Sequence, residues 1–180
     1  MRNLLNIAVE AALDAGKHIM EIYSSGDFNL QLKGDGSPLT RADLASHQAI
    51  LKHLKSTGIP VLSEEGRSVS YPERASWTKL WIIDPIDGTK EFLKRNGEFT
   101  VNIALVENGI PIMGVVYVPA KRVLYTGSSG GEDALAARVL GGEDGWSADD
   151  WLRAGLSIPT EIKNRPFTVV VSRSHMSSAT

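Results

Sequence analysis

Residues 99–105 alternate between apolar and polar or small side chains, and this alternation restricts the fold more than any other feature of the sequence. A period of two is typical of a strand with one buried face. Glu107-Asn108-Gly109 then gives a tight hairpin signal, and residues 110–118 and 122–126 return as further strands. The stretch therefore predicts an antiparallel meander.

Two amphipathic helices precede the meander. The first is expected over residues 3–24, where apolar residues recur at steps of three and four. The second begins at Thr40 and ends at Thr57-Gly58. Its expected inner face consists of Leu44, His47, Leu51 and Leu54. Helices followed by a mainly antiparallel sheet predict an α+β fold.

Later parts of the chain are less regular. Residues 127–157 contain weak helical patterns around Ala134–Leu140 and Asp149–Leu156, and Phe167–Val171 has the pattern of a strand. We expect an α+β domain over residues 1–165, with residues 166–180 starting a second domain.

Acidic residues directly follow two short apolar strands. Residues 59–62 lead into Glu64-Glu65, and residues 80–83 lead into Asp84-Pro85-Ile86-Asp87-Gly88-Thr89. Oxygen ligands suit hard cations such as Mg²⁺. Because carboxylates a few ångströms apart repel each other, a cluster of this kind is tolerable mainly when a cation neutralises it. The expected ligands are Glu64, Asp84, Asp87 and the Ile86 carbonyl.

Gly88 and Thr89, which follow Asp87, are also expected to contribute to the site. Gly88 lets a phosphate or another backbone approach closely. Thr89 brings a hydroxyl beside the site and begins a short helix that extends through Phe92. The N-terminus of that helix would favour a phosphate.

Each of these motifs also has a purely structural interpretation. Asp-Pro and Asp-Gly are common turn dipeptides, and Glu64-Glu65 alone is typical of a solvated loop. Asp43 lies three residues after Thr40, which is the spacing of a helix capping box. Asp43 can instead face the acidic cluster and orient a water, and the two interpretations are compatible.

Composition excludes several classes of function. The 180-residue chain has no cysteine, so disulfides, thiolate metal sites and a cysteine nucleophile are excluded. The net charge of −2 gives no sign of a nucleic-acid-binding protein. No apolar run is long enough for stable membrane insertion, and we expect a cytoplasmic protein.

The motifs together resemble those of the inositol monophosphatase-like superfamily of lithium-sensitive, magnesium-dependent phosphatases. Within it, the chain is most similar to the bacterial 3′(2′),5′-bisphosphate nucleotidases. The residues that carry the resemblance are Ser37–Asp43, Ser63–Glu65, Trp81–Thr89, Thr89-Lys90-Glu91-Phe92, Lys94–Leu105 and Ser172–His175. The resemblance implies a layered α/β sugar-phosphatase fold.

The resemblance also implies roles for individual residues. Glu64, Asp84, the Ile86 carbonyl and Asp87 would bind two or three Mg²⁺ ions. Thr89, with Glu64 or Asp43, would orient and deprotonate the attacking water. The substrate-binding residues would be Glu64, Asp87, Gly88, Thr89, Ser172 and His175.

The resemblance further implies a reaction and partners. A water would attack the phosphate of 3′-phosphoadenosine 5′-phosphate directly and yield AMP and phosphate. The partner would be a small phosphorylated nucleotide and not a nucleic acid, and members of the superfamily are often homodimers. Alone, His175 after a strand is more typical of a surface histidine, and His18, His47 and His53 are expected to be structural or exposed.

The sequence also departs from the superfamily pattern. Members carry a later Trp-Asp motif whose Asp completes a metal site, whereas Asp149-Asp150-Trp151 has the reverse order. We therefore expect a chain that is truncated relative to the superfamily, with most of the second domain missing and weak or no activity. An inositol or sugar phosphatase, or a non-catalytic metal- and phosphate-binding module, is the alternative.

Overall fold

The computed structural model describes residues 1–34, 36–129, 135–143 and 145–158. The helices and strands of these residues, in chain order, are α1 Arg2–Ser25, β1 Gln31–Leu32, β2 Pro38–Leu39, α2 Arg41–Leu54, β3 Val61–Ser63, α3 Tyr71–Ala75, β4 Lys79–Asp87, α4 Thr89–Leu93, β5 Thr100–Glu107, β6 Ile110–Val118, β7 Val123–Ser128, β8 Leu135–Leu140, α5 Ala148–Arg153 and β9 Leu156–Ser157. Short 3₁₀ turns cover Lys55–Thr57 and Pro119–Lys121.

The main sheet of the described residues follows chain order from β3 to β9. Strand β3 pairs with β4 in parallel, and every later pair is antiparallel. Asn108 and Gly109 both have positive φ in the turn between β5 and β6, as a tight hairpin requires. The predicted meander and the predicted α+β class are confirmed.

Helices α1 and α2 pack on each other and cover one face of this sheet. Helix α1 lies against β5 and β6, and α2 lies against β4. The core between the layers includes Ile19 and Ile50 from the helices and Trp81, Leu105 and Val115 from the strands. The alternation predicted for residues 99–105 places the apolar side chains on this covered face.

The inner face predicted for the second helix is only partly right. Leu44 is 45% exposed, whereas Asp43, Ser46 and His47 are buried. Apolar residues normally mark the buried face of a helix. Here the first two turns of α2 face a polar region, and for that reason three of their four buried positions, all except Ala42, are polar.

Three other elements differ from the sequence-based expectation. Strand β4 does not end at residue 83 but runs on through Asp87, with irregular pairing to β5 between Asp84 and Asp87. The predicted helical patch around residues 134–140 is wrong for residues 135–140, which form β8 because they pair with β7 along their whole length. The five-residue helix α3 was not predicted.

The helical pattern around Asp149–Leu156 is confirmed as α5, with Leu156 in β9. The strand predicted at Phe167–Val171, the residues Ser172 and His175, and the domain boundary after residue 165 lie outside the described residues.

The sheet face away from α1 and α2 is partly open to solvent. It carries Ile82 and Val116, which are 42% and 38% exposed. A shallow groove of about 510 Å³ runs across β3 to β6 on this side and reaches Glu64, Asp84 and Asn102 at one end. None of the helices that the structure describes has the length and apolar character needed to cross a bilayer.

Candidate active site

Asp43 has two sets of contacts at the start of α2. Its Oδ2 accepts hydrogen bonds from Thr40 N–H at 2.7 Å and from Thr40 Oγ1 at 2.6 Å, which closes a capping box. Its Oδ1 accepts a hydrogen bond from Thr89 Oγ1 at 3.2 Å. Burial raises the pKa of Asp43, although the Thr40 hydrogen bonds oppose that rise. Asp43 therefore caps α2 and also faces the loop after β4.

Asp84 lies in an environment that disfavours its charge. Burial, the negative charges of Glu64 and Asp87 and a close approach of the Glu64 carboxylate raise the pKa of Asp84 to about 7. Its Oδ1 is buried and has no hydrogen-bond partner. Buried polar atoms nearly always have a partner. An unpartnered carboxylate oxygen beside two further carboxylates thus fits a position for a cation.

Glu64, at the end of β3, is held by a lysine. Lys33 Nζ lies 2.8 Å from Glu64 Oε1 and 2.5 Å from Glu65 Oε1. Burial alone would lower the pKa of Lys33, but the hydrogen bonds and charges of the two glutamates outweigh it and raise that pKa. Burial raises the pKa of Glu65 in spite of the lysine. The ammonium group thus neutralises part of the acidic cluster.

Asp87 and Gly88 are fixed by strand β5 and the loop before it. Asn102 Nδ2 donates to Asp87 Oδ2 at 3.1 Å, and Thr100 Oγ1 donates to Asn102 Oδ1 at 3.0 Å. Gly88 has φ +98°, and a Cβ at this position would lie 2.9 Å from the Glu98 carbonyl oxygen. The close approach expected at Gly88 is therefore made by the protein's own backbone.

The backbone between Asp84 and Asp87 contacts α2 and the threonine after it. Ser46 Oγ donates to the Pro85 carbonyl at 2.8 Å. The Ile86 carbonyl lies 3.3 Å from Thr89 Oγ1, so it is a second acceptor within reach of the single hydroxyl proton that can be donated to Asp43. The threonine hydroxyl, Asp43 and the Ile86 carbonyl thus form one contact group next to Asp84 and Asp87.

These residues supply the donor set that Mg²⁺ prefers, which is carboxylate and carbonyl oxygen. Within the ranges that the structure describes, no three His or acidic side chains are already close enough together to enclose an ion. The Glu64 carboxylate closely approaches Asp84 and is also bound by Lys33 Nζ at 2.8 Å. The donor chemistry and the unpartnered Asp84 oxygen fit Mg²⁺.

The structure brings Asp43, Glu64, Asp84, Ile86, Asp87, Gly88 and Thr89 to one end of the sheet. Sequence reasoning did not identify Lys33, Ser46, His47 and Asn102 as contacts of this group. A polar alternation signal existed for Asn102, which lies on the same face of β5 as Thr100. Lys33 and Ser46 carried no such signal, because their contacts join segments far apart in the chain.

Comparison with known proteins gives a consistent result. The model of the Inositol monophosphatase family matches residues 1–168. The chain is 40% identical over 175 residues to the 3′(2′),5′-bisphosphate nucleotidase CysQ of Salmonella typhimurium, a match that covers 96% of this chain and 64% of that protein. The chain therefore spans less than two thirds of the length of this relative.

Solved structures show the same likeness. The crystal structure of CysQ from Bacteroides thetaiotaomicron superposes with a TM-score of 0.85 at 44% identity, and the match covers 99% of this chain and 66% of that one. The suhB protein of Bartonella henselae superposes with a TM-score of 0.65 at 28% identity, over 74% of this chain and 51% of that one.

Proposed function

The chain belongs to the inositol monophosphatase family, and from this premise we propose that it carries the metal- and phosphate-binding residues of a Mg²⁺-dependent phosphomonoesterase. The substrate proposed is 3′-phosphoadenosine 5′-phosphate, which would be hydrolysed to AMP and phosphate. One observation carries the proposal. The buried Asp84 oxygen has no partner and lies beside Glu64 and Asp87, next to the bonded pair of Thr89 and Asp43.

Glu64, Asp84, Asp87 and the Ile86 carbonyl would hold two or three Mg²⁺ ions. When bound, the ions supply positive charge to the phosphate and lower the pKa of a bound water. Asn102 holds Asp87 through a hydrogen bond, which reduces the freedom of that carboxylate.

Thr89 and Asp43 would orient the attacking water and accept its proton. Thr89 Oγ1 donates its own proton to Asp43, so its lone pairs are available for a water O–H. The raised pKa of Asp43 makes this carboxylate a better proton acceptor. The water oxygen forms a bond to phosphorus, the bond from phosphorus to the 3′ oxygen breaks, and that oxygen takes a proton from solvent.

The nucleotide substrate is proposed because relatives at 40% and 44% identity carry the CysQ name. Contacts from Glu64, Asp87, Gly88 and Thr89 to the phosphate, and from Ser172 and His175 to the nucleotide, remain predictions. A cytoplasmic location and a homodimer are proposed on the same likeness.

An inositol or sugar phosphatase of the same family is the first alternative, since the metal residues would be shared. A binding module without catalysis is the second. The observation that favours it is the Lys33 bond to Glu64, because a permanent cation at this position would compete with a metal ion.

The test is phosphate release from 3′-phosphoadenosine 5′-phosphate, with and without Mg²⁺, by the chain and by Thr89→Val. This variant keeps the side-chain shape and removes the hydroxyl that contacts Asp43. We expect slow, Mg²⁺-dependent release that falls about 100-fold or more in Thr89→Val, the lower range for lost acid–base catalysis.

Thr57→Val is the matched control, because Thr57 lies at the far end of α2 and bonds Trp81 Nε1 at 3.1 Å. It should leave phosphate release unchanged. Release that is independent of Mg²⁺, or equal in the two variants, would contradict the proposal. Preference for inositol phosphate would favour the first alternative, and Mg²⁺ binding without release from any substrate the second.

A further inference from the structure

Buried polar side chains are concentrated at one end of one helix. Among the described residues, five buried side chains are polar or charged, and four of them, Thr40, Asp43, Ser46 and His47, lie at the cap and in the first two turns of α2. Asp43, Ser46 and His47 are spaced by three and four residues, so they share one helix face. Burial of polar groups costs free energy unless they are bonded. The hydrogen-bond partners of these side chains therefore indicate the role of this helix face.

Each of the three side chains bonds a different segment of the candidate site. Asp43 bonds Thr89 after β4, at 3.2 Å. Ser46 Oγ donates to the Pro85 carbonyl within β4, at 2.8 Å.

His47 Nδ1 lies 2.9 Å from Ser63 Oγ at the end of β3. Ser63 Oγ accepts from Glu65 N–H at 3.2 Å, so its own proton is available to the ring nitrogen of His47. Burial lowers the pKa of His47, which favours the neutral ring that can accept this proton.

Helix α2 is fixed by its N-terminal cap, by the core and by a contact to α1, so it can position the segments that bond to it. Its N-terminus is closed by the capping box, and its Ile50 and Leu54 are fully buried in the core. His53 Nε2 near its C-terminus lies 2.9 Å from Asp14 Oδ2 of α1. A segment bonded to α2 is thus bonded to the two-helix layer.

We propose that Ser46 and His47 are positioning residues, which set the orientation of the metal-binding segments through bonds from α2 to Pro85 and Ser63. Neither residue contacts a reacting atom. The Ser46 bond fixes the peptide plane of Pro85, and Asp84 and Asp87 project from the residues on either side of the Pro85–Ile86 unit. The His47 bond fixes Ser63, which directly precedes Glu64. The inference rests on the proposed function only in taking these carboxylates as Mg²⁺ ligands.

The irregular part of β4 explains why such bonds are needed. Ladder pairing with β5 is interrupted between Asp84 and Asp87, and Pro85 has no N–H to donate. The segment with two of the three proposed carboxylate ligands therefore lacks part of the support that a regular strand gives. Ser46 supplies a bond from the opposite side.

The first test compares Ser46→Ala with Thr57→Val. Both variants remove one hydroxyl that links the α2 region to β4, Ser46 at the site and Thr57 at the opposite end. Mg²⁺ affinity is measured by calorimetry and the symmetry of bound Mn²⁺ by electron paramagnetic resonance, neither of which needs catalysis. We expect about a tenfold weaker affinity and a broader Mn²⁺ spectrum in Ser46→Ala, and wild-type values in Thr57→Val.

Equal affinity in Ser46→Ala and the wild type would overturn the proposal, and so would an equal loss in both variants. Binding by the wild type is the separate check on the proposed function, because absence of any Mg²⁺ binding there would refute the metal site itself. For His47, the pair is His47→Leu against His47→Asn, which retains a group that can bond Ser63. Lower affinity only in His47→Leu supports the role, and equal values in the pair contradict it.

A measurement on the wild type covers the case in which a variant fails to fold. Amide hydrogen exchange of the full chain is followed with and without Mg²⁺. If α2 positions the ligands, bound Mg²⁺ slows exchange in the first two turns of α2 together with residues 63–65 and 84–89. Slower exchange in those two loops with no change in α2 would overturn the proposal.

Discussion

At the scale of the single residue, the position of Asp84 is unfavourable for folding but suited to binding a cation. A half-buried carboxylate that has one buried oxygen without a partner and lies near two other carboxylates is unfavourable for folding without a cation. Asp43 is more deeply buried than Asp84 but has three hydrogen bonds to stabilise it. The hydrogen bonds of Asp43 give it a structural role as the cap of α2, whereas the fold alone does not explain the position of Asp84.

Gly88 is required by local geometry as well as by its place in the motif. Gly88→Ala would place a Cβ against the Glu98 carbonyl at a φ of +98°. The positive φ costs about 1–2 kcal/mol, and the close contact with backbone adds about 1–3 kcal/mol. We expect a lower free energy of unfolding by roughly the sum, measured by urea denaturation.

Gly109→Ala is the control for this prediction. Gly109 also has a positive φ, of +78°, but a Cβ there meets no atom within 4 Å. It should therefore show only the smaller conformational cost. If both variants lose the same stability, the close packing of Gly88 against Glu98 is not important.

At the scale of elements, the helices and strands that were predicted correctly are those encoded by local sequence patterns. The meander followed from alternation in residues 99–105 and the turn at Asn108-Gly109, and the capping box at Thr40 followed from spacing. Strand β8 was predicted as helix because Ala and Leu favour helices locally, while its pairing with β7 is a long-range effect. The inner face of α2 was predicted only in part: His47 and Leu54 are buried as expected, whereas Leu44 is exposed, and Asp43 and Ser46 are buried against the site.

The candidate site was likewise predictable only where local sequence patterns encode it. Glu64 follows the end of β3, whereas Asp84 and Asp87 lie in the irregular last part of β4, and all three could be identified as candidates from the sequence. Their supporting contacts, such as Lys33 with Glu64 and Asn102 with Asp87, depend on the folded arrangement of the segments.

The packing of α1 on the sheet gives a second prediction. Gly16 faces Tyr117 of β6, and a Cβ at Gly16 would overlap the Tyr117 ring. Replacement of Gly by Ala within a helix normally stabilises by about 1 kcal/mol. Gly16→Ala should instead destabilise by about 1–3 kcal/mol, because Tyr117 is buried and packs against Trp151.

Thermal unfolding of Gly16→Ala, Tyr117→Leu and the double variant checks this packing. The double variant should lose less than the sum of the two single losses, since Leu leaves room for the new methyl group. An increase in stability for Gly16→Ala alone would show that the ring moves aside freely.

At the scale of the whole molecule, the described sheet has one face covered by α1 and α2 and one face partly open. The acidic residues lie at one end of the open face, where the groove begins. The helix layer therefore supports the site, and the groove on the open face is bordered by Glu64, Asp84 and Asn102. The chain covers 66% of the length of the Bacteroides CysQ chain.

Thermal unfolding of the chain and of Asp84→Asn, with and without Mg²⁺, tests the metal site most directly. Without Mg²⁺ and at about pH 8, where Asp84 with its pKa of about 7 is ionised, Asp84→Asn should be more stable by about 1–2 kcal/mol, because the substitution removes a partly buried charge near two others. With Mg²⁺ at about a hundred times its Kd, the wild type should gain about 2.7 kcal/mol and Asp84→Asn much less. The exposed Glu21→Gln should behave as the wild type in both conditions. Lower stability of Asp84→Asn without Mg²⁺, together with an equal gain in all three proteins with Mg²⁺, would contradict the account.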